Sequence, residues 1–235
     1  LRMKLSIIIP VFNEEKTVSE IIDAVINVKI PGVIKEIIVV DDGSTDKTVS
    51  RIDKNKVKLI IHEKNKGKGA AVKTGIENAT GDYIIIQDAD LEYDPKYIPT
   101  LLEPILQGKV KVVYGTRLKR LPHLKKEEKK ARFLLHYLGN RFLSLTTSVL
   151  YGSWITDMET CYKLFPRNAL KGMKLNSRRF DFEPEITAKL LKRGYKILEI
   201  PITTVPRDYN EGKKLRTFHD GSIALYTLLK YRVSN

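Results

Sequence analysis

The chain has 235 residues, 42% of them hydrophobic, which is enough to bury one substantial core, or one domain with a smaller appended region. Lys and Arg outnumber Asp and Glu by 42 to 28, so the net charge of +14 draws in anions: nucleotides, nucleic acid, phosphorylated lipids or an acidic membrane face. The one cysteine, Cys161, excludes a disulfide framework within the chain and a cysteine-based zinc cluster, and fits a reducing, cytoplasmic setting.

In chain order, short β-branched runs alternate with helical patterns. Lys4 to Phe12, Glu36 to Val40, Val57 to His62, Tyr83 to Gln87 and Val110 to Gly115 read as buried strands bounded by turn or charged residues. Between them, Thr17 to Val28 places Val18, Ile21, Ile22 and Val25 on one helical face, and Thr45 to Ile52, Gly67 to Ala79 and Pro95 to Leu106 carry helical patterns too. The alternation predicts an α/β fold with a mostly parallel central sheet flanked by helices. The basic stretch from Arg117 to Arg132 separates this half from a helical, less regular remainder. The expected division is 1–118 and 119–235, two halves of one compact unit.

Open parallel sheets bind ligands beyond the carboxyl ends of their strands. Two acidic clusters fall there: Asp41 and Asp42 after the second run, and Asp88, Asp90, Glu92 and Asp94 after the fourth. An EF-hand is excluded because Tyr93 and Pro99 stand where Gly and Glu are required. A phosphatase motif of the Asp-x-Asp-x-Thr kind fits poorly, with Glu92 in the Thr position and the motif behind the fourth strand instead of the first. Asp94 before Pro95 reads as a helix cap. Asp88 and Asp90, two apart on an extended segment, point to one side and offer hard oxygen ligands for Mg2+ or Mn2+ on a nucleotide diphosphate; the alternative is a solvated strand end. "NKGKGAAVKTG" is neither a dinucleotide fingerprint, since Val72 replaces the third Gly, nor an ATPase loop. It is either a flexible turn opening a helix or a basic loop that meets an anionic nucleotide at a helix N-terminus.

"SIIIPVFNEE", "VVDDGSTDKT", "NKGKGAAVKTG", "GDYIIIQDADLEYDP" and "VVYGTR" together resemble, in order and spacing from Lys4 to about Arg117, the inverting family-2 glycosyltransferases with the GT-A fold. "TDMETCYKLF" and "IPITTVPRDYNEGKK" resemble the polyprenyl-phosphate hexosyltransferase branch, dolichyl-phosphate mannose synthases among them. The resemblance implies a nucleotide-sugar donor, GDP-mannose or UDP-glucose, held in 1–118 by Pro10, Asn13, Glu14, Asp41, Asp42, Lys66, Gly67, Lys68, Asp88, Ala89 and Asp90. Mg2+ or Mn2+ would sit on Asp88 and Asp90. For 119–235 it implies an acceptor-side region serving a polyprenyl or dolichyl phosphate, whose phosphate meets Arg117, Arg207, Lys213 and Lys214. Asp90, Asp157, Arg117 and Arg207 form the implied catalytic set. A phosphate acceptor needs no strong base; with a hydroxyl acceptor, a glycan or glycolipid, Asp157 becomes the base. The Gln-x-x-Arg-Trp signature of processive synthases is missing, which favours single transfer.

No apolar run approaches the roughly 18 to 20 residues of a membrane-spanning helix. The opening Leu1-Arg2-Met3 lacks a signal-peptide pattern and places the natural start at Met3. Behind Lys125, Lys126, Lys129 and Lys130, an apolar stripe of Ala131, Leu134, Leu135, Leu138, Phe142, Leu145 and Val149 reads in two ways. It is an interfacial helix on an anionic cytoplasmic membrane surface, or a core-facing helix. Nucleic-acid binding is the non-enzyme alternative; the aromatic residues are not interleaved with basic ones as stacking platforms require, so no nucleic-acid partner is expected.

Overall fold

The computed structural model describes residues 2–118, 131–205 and 217–234; Arg207, Lys213, Lys214 and the basic residues Lys125 to Lys130 lie outside them. The described strands are β1 (Met3–Val11), β2 (Val33–Asp41), β3 (Lys58–Ile61), β4 (Tyr83–Ile86), β5 (Val112–Thr116), β6 (Lys163–Pro166) and β7 (Ile197–Pro201). They form one sheet in the order β3-β2-β1-β4-β6-β5-β7, parallel throughout except for β6, which runs antiparallel to both of its neighbours. The expected mostly parallel α/β sheet is therefore present.

The central strands are apolar on both faces because helices cover both. Leu5, Ile7, Ile8 and Ile9 of β1, Ile84 and Ile85 of β4, and Val112 and Val113 of β5 are fully buried. Helix α1 (Val18–Asn27) buries Val18, Ile21, Ile22 and Val25, the face its spacing predicts, each contributing about 1.5–3 kcal/mol of apolar burial. Helix α2 (Lys68–Glu77) lies close against the sheet: a Cβ on Gly75 would come within 2.4 Å of Ile8. Asp94 caps the turn Pro95–Tyr97 through the backbone N–H of Lys96 at 2.9 Å, and α3 (Ile98–Leu106) follows. The helix expected over Thr45 to Ile52 is only a 3-10 turn at Val49–Arg51. Its preceding residues are captured by side chains instead: Asp46 accepts from Thr48 N, and Glu15 accepts from Lys47 N.

Three helices from the second half complete the molecule. Helices α4 (Ala131–Tyr151), α5 (Phe182–Lys192) and α6 (Thr217–Val233) pack together through Leu143, Ala188, Ala224 and Leu228. The stripe on α4 turns outward: Leu134, Leu135, Leu138, Phe142, Leu145 and Val149 are exposed, while Asn140, Leu143, Ser144 and Thr147 face inward. The core-facing reading of that stripe is corrected accordingly, because the inward face is the narrower, more polar one. Away from the carboxyl ends of the strands, Glu36 on β2 ties three segments together. It accepts from Ser6 Oγ at 2.5 Å, Thr80 N at 2.8 Å, Thr80 Oγ1 at 2.6 Å and Lys4 Nζ at 2.9 Å. Burial raises its pKa, but these hydrogen bonds together outweigh burial and bring it to about 2.

Candidate active site

The carboxyl ends of β1, β2, β4 and β5 and the amino end of β6 open onto one cleft of about 350 Å3. Its floor is the segment after β4. Gln87, fully buried, donates from Nε2 to the carbonyls of Asp88 and Tyr93 and accepts from the Tyr162 hydroxyl at 2.6 Å, so the loop of Asp88 to Tyr93 is braced on the core. Leu91 takes φ 62°, and the N–H of Glu92 turns back onto Asp90 Oδ1 at 3.1 Å. Asp88, Asp90 and Glu92 thereby crowd one wall of the cleft. Burial and the neighbouring Asp88 and Glu92 charges push Asp90 up to about 7, a concentration of negative charge that a divalent cation relieves.

Lys68, on the first turn of α2, places Nζ 2.8 Å from Asp88 Oδ1 and 3.2 Å from Glu183 Oε1. Burial works against its charge, but the two carboxylates outweigh burial and hold it well above the ordinary lysine value. The loop before α2 is latched from beneath. Asp42 accepts from Lys66 N at 2.9 Å and Gly67 N at 2.7 Å and is met by His62 Nδ1 at 2.7 Å. Gly67 is required here: φ is 98°, and a Cβ would stand 2.3 Å from the carbonyl oxygen of Arg178. Asp41 and Asn13 form a second latch. Asp41 Oδ2 accepts from Ser44 N, and Asn13 Oδ1 accepts from Thr45 N at 2.9 Å, while Asp41 Oδ1 is buried with no hydrogen-bond partner.

The cleft thus brings together Pro10, Glu14, Asp42, Gly67, Lys68, Asp88, Ala89, Asp90 and Arg117 from the sequence-derived set. Asn13, Asp41 and Lys66 do not line it; they take part in the hydrogen bonds of the adjoining turns. Asp157 lies beneath Arg117 with no exposed surface. Its two oxygens accept from Arg117 Nε and Nη2, both at 2.8 Å, and from Arg117 N at 2.9 Å. Burial raises the Asp157 pKa, but the Arg117 charge and hydrogen bonds outweigh it and keep the carboxyl below its usual value. Glu159, Cys161, His136, Arg179, Phe180 and Glu183 also line the cleft; the sequence reading did not single them out. One signal was available, because Asp157 and Glu159 repeat the two-residue spacing of Asp88 and Asp90. Beyond Arg117 and Glu159 a second cavity of about 80 Å3 continues between α4 and α6, walled by His136, Asn140, Phe180 and Asp220.

Among the described residues no group of three or more His, Cys, Asp and Glu side chains is arranged to hold a metal unaided. Asp88 and Asp90 fit a hard cation that takes one or two carboxylates and completes its shell with substrate phosphate oxygens and water.

An uncharacterized protein of Methanocaldococcus jannaschii is 32% identical over 212 residues, covering 88% of this chain and 84% of that protein. A UDP-N-acetylglucosamine–dolichyl-phosphate N-acetylglucosaminyltransferase of Methanococcus voltae is 30% identical over 226 residues, covering 87% and 86%. Among solved structures, glucosyl-3-phosphoglycerate synthase of Mycobacterium tuberculosis with Mn2+, UDP and phosphoglyceric acid superposes with a TM-score of 0.75 at 21% identity, over 98% of this chain and 79% of that one. Complexes of that synthase hold Mn2+ or Mg2+ beside UDP, in agreement with the expected divalent metal.

The expected polyprenyl or dolichyl phosphate acceptor and anionic membrane partner are corrected by these findings. Two sequence relatives, that of Methanococcus voltae and a dolichol-phosphate mannosyltransferase of Pyrococcus furiosus, are named for a dolichyl-phosphate acceptor, but the solved complexes sharing this fold pair UDP-glucose with phosphoglyceric acid, a small hydroxy acid. The cavity beyond Arg117 is correspondingly small, and no helix among the described residues is long and apolar enough to cross a membrane. Strands β2 to β6, the Asp88–Asp90 wall and the cleft lining from Pro10 to Cys161 fall within the part of the chain, residues 6–173, that matches Glycosyl transferase family 2, and the chain belongs to that family.

Proposed function

We propose that the protein is a metal-dependent hexosyltransferase that moves glucose from UDP-glucose to the hydroxyl of a small anionic acceptor of the phosphoglycerate kind. The observation that carries this reading is the continuity of the cleft. The Asp88–Asp90 wall and the first turn of α2 lie at one end, and Arg117 at the other borders a smaller cavity that shares His136, Glu159 and Phe180 with the cleft. Residues 1–118 supply the donor side in this reading. Residues 119–235 supply the acceptor side while lending β6 and β7 to the common sheet.

In the donor half, Pro10, Glu14 and Asp42 border the space for the nucleoside. The diphosphate lies toward Lys68 at the N-terminal end of α2, where the helix dipole favours negative charge. Asp90, with Asp88 shared between Lys68 and the site, would hold Mg2+ or Mn2+; when bound, such an ion offsets the charge developing on the departing diphosphate. Arg117, fixed by Asp157 in a two-pronged ion pair and stacked 5.8 Å from the Tyr93 ring, presents its positive field to an acceptor anion. Asp157 in this reading positions Arg117 rather than moving a proton, because Arg117 already satisfies both of its oxygens. Arg207, Lys213 and Lys214 remain candidates for further anion contacts.

The test is transfer of labelled glucose from UDP-glucose to phosphoglyceric acid with and without Mn2+, with Asp90→Ala as the control. The expected result is metal-dependent labelling of the acid that falls by about 100-fold or more in the variant. Labelling that needs no metal, or labelling only of a lipid phosphate, would refute the proposal.

A further inference from the structure

Glu159 sits on the segment that enters β6, where nearly every neighbouring backbone group is fixed. Asp157 N donates to Glu199 Oε1 at 2.9 Å, Met158 N donates to Ser144 Oγ at 3.0 Å, and Cys161 N donates to the Tyr93 hydroxyl at 3.2 Å. The carbonyls on either side of Glu159, those of Met158 and Thr160, both accept from the buried Lys163 ammonium, at 2.6 and 2.7 Å. Lys163 is fully buried, and no ion pair among the described residues fixes it; a Tyr114 ring 4.4 Å away completes its surroundings. The chain therefore wraps one peptide turn around a buried cation and holds the intervening side chain toward the cleft.

That side chain is itself unsatisfied. Glu159 Oε1 is buried with no hydrogen-bond partner, and across from it Glu183 Oε2, on the first turn of α5, is in the same condition. A buried carboxyl oxygen left unpaired is costly, and both residues line the main cleft, where a substrate donor would relieve them. Glu159 borders both the main cleft and the smaller cavity, so it stands at the junction where a donor sugar and an acceptor hydroxyl meet.

We propose that Glu159 is the catalytic base that accepts the proton of the acceptor hydroxyl. This inference rests on the hydroxyl-acceptor reading above. The acceptor oxygen forms its bond to the anomeric carbon as the bond from that carbon to the diphosphate oxygen breaks. The electron pair leaves with UDP, and the hydroxyl proton passes to the Glu159 carboxylate, which later releases it to water. The charged groups facing Glu159 are Glu183 on α5, Lys163 on β6, Arg117 after β5 and Asp157 on its own segment; His136 on α4 shares both cavities. Burial, then the Glu183 charge, raises the Glu159 pKa to about 8, against the opposing pull of Lys163 and Arg117. A base with such a value gains competence as pH rises through neutrality.

The experiment compares wild type, Glu159→Gln, Glu159→Ala and Glu183→Gln with UDP-glucose, Mn2+ and phosphoglyceric acid across pH, alongside calorimetric titration of Mn2+–UDP. In Glu159→Gln, kcat is expected to fall by about 10²–10⁴-fold and the rising limb of the pH profile to disappear, with UDP affinity within about twofold of wild type. Added formate is expected to restore part of the activity of Glu159→Ala. Glu159→Gln that retains kcat within about threefold and keeps the limb overturns the assignment, as does loss of the limb in Glu183→Gln alone. A wild type that transfers to no hydroxyl and does not hydrolyse UDP-glucose while still binding Mn2+–UDP overturns the hydroxyl-acceptor reading itself, and this inference with it.

Discussion

Replacing Asp157 by Asn should unfold the acceptor wall more than it changes the donor wall. The carboxylate accepts three hydrogen bonds from one residue, Arg117 N, Nε and Nη2, and has no exposed surface, whereas the Arg117 side chain keeps 22% exposure. Asn preserves the shape but loses the charge, and its amide N–H2 is turned against Arg117 donors. Removing one partner of a buried pair costs about 3–5 kcal/mol; the partial exposure of Arg117 lets it swing toward the cleft, so about 3 kcal/mol is expected. For a chain of this size that corresponds to a fall in Tm of about 6–12 °C. The sign with pH follows from the depressed carboxyl. Its contribution is complete at neutral pH and is lost only as pH falls below the ordinary Asp value of about 4, so the gap between variant and wild type narrows in acid. Urea unfolding followed by circular dichroism at neutral pH and again at low pH measures this, with Mn2+–UDP titration as the check on the donor side. A loss below about 1 kcal/mol, or a gap that widens as pH falls, would refute the reasoning.

Two further outcomes are expected. Gly67→Ala forces an L side chain into φ 98° and against Arg178, so stability should fall by about 2 kcal/mol and Mn2+–UDP should bind about tenfold more weakly; unchanged affinity by calorimetry would show that the latch does not shape the donor site. Glu36→Gln removes the charge that four donors address, and the side chain is largely shielded, so after allowing for solvent screening about 1–2 kcal/mol should be lost with kcat intact. That stability is present above the ordinary carboxylate value and is lost as pH drops toward 2, so acid unfolding curves of the two proteins should converge at low pH; curves that stay parallel would count against the network.

The parallel strands were legible because burial on both faces leaves unbroken β-branched runs, as in Ile7 to Ile9 and Ile84 to Ile86. Strand β6 was not, because a four-residue segment beginning with Lys163 and ending with Pro166 carries no strand pattern. It becomes a strand by pairing with β4 and β5, and its buried Lys163 ammonium finds two carbonyls, which no local rule announces. Helix α5 was hidden for a related reason: Glu183, Glu185 and Lys189 are buried charges, so the polar face that marks a surface helix is absent. Glu185 is satisfied by Asn176 N at 2.9 Å, by Ser177 and by Lys189 Nζ at 2.6 Å, a tertiary arrangement. In the site, the Asp88–Asp90 pair was readable from its spacing after a strand. The duties of Asp41, Asp42 and Asn13 as latches were not, since an acceptor oxygen looks the same in sequence whether it meets a ribose hydroxyl or the chain's own N–H.

The single antiparallel strand has a consequence for how such a protein diversifies. Tyr114 of β5 lies beside Lys163 of β6, and Gly115 N donates to the Tyr162 carbonyl at 2.9 Å, so the polypeptide departs after Thr116 and comes back to an adjacent point of the sheet. Everything from Arg117 to Tyr162, including Asp157 and Glu159, is an excursion whose two ends are already clamped together. Closing a longer or shorter excursion adds only about 0.6 kcal/mol per doubling of length. Its last two residues stay tied to the floor, Cys161 through the Tyr93 hydroxyl and Tyr162 through Gln87, so changes in length are best tolerated ahead of Asp157, where the chain can vary while both ends of the excursion hold their places on the sheet.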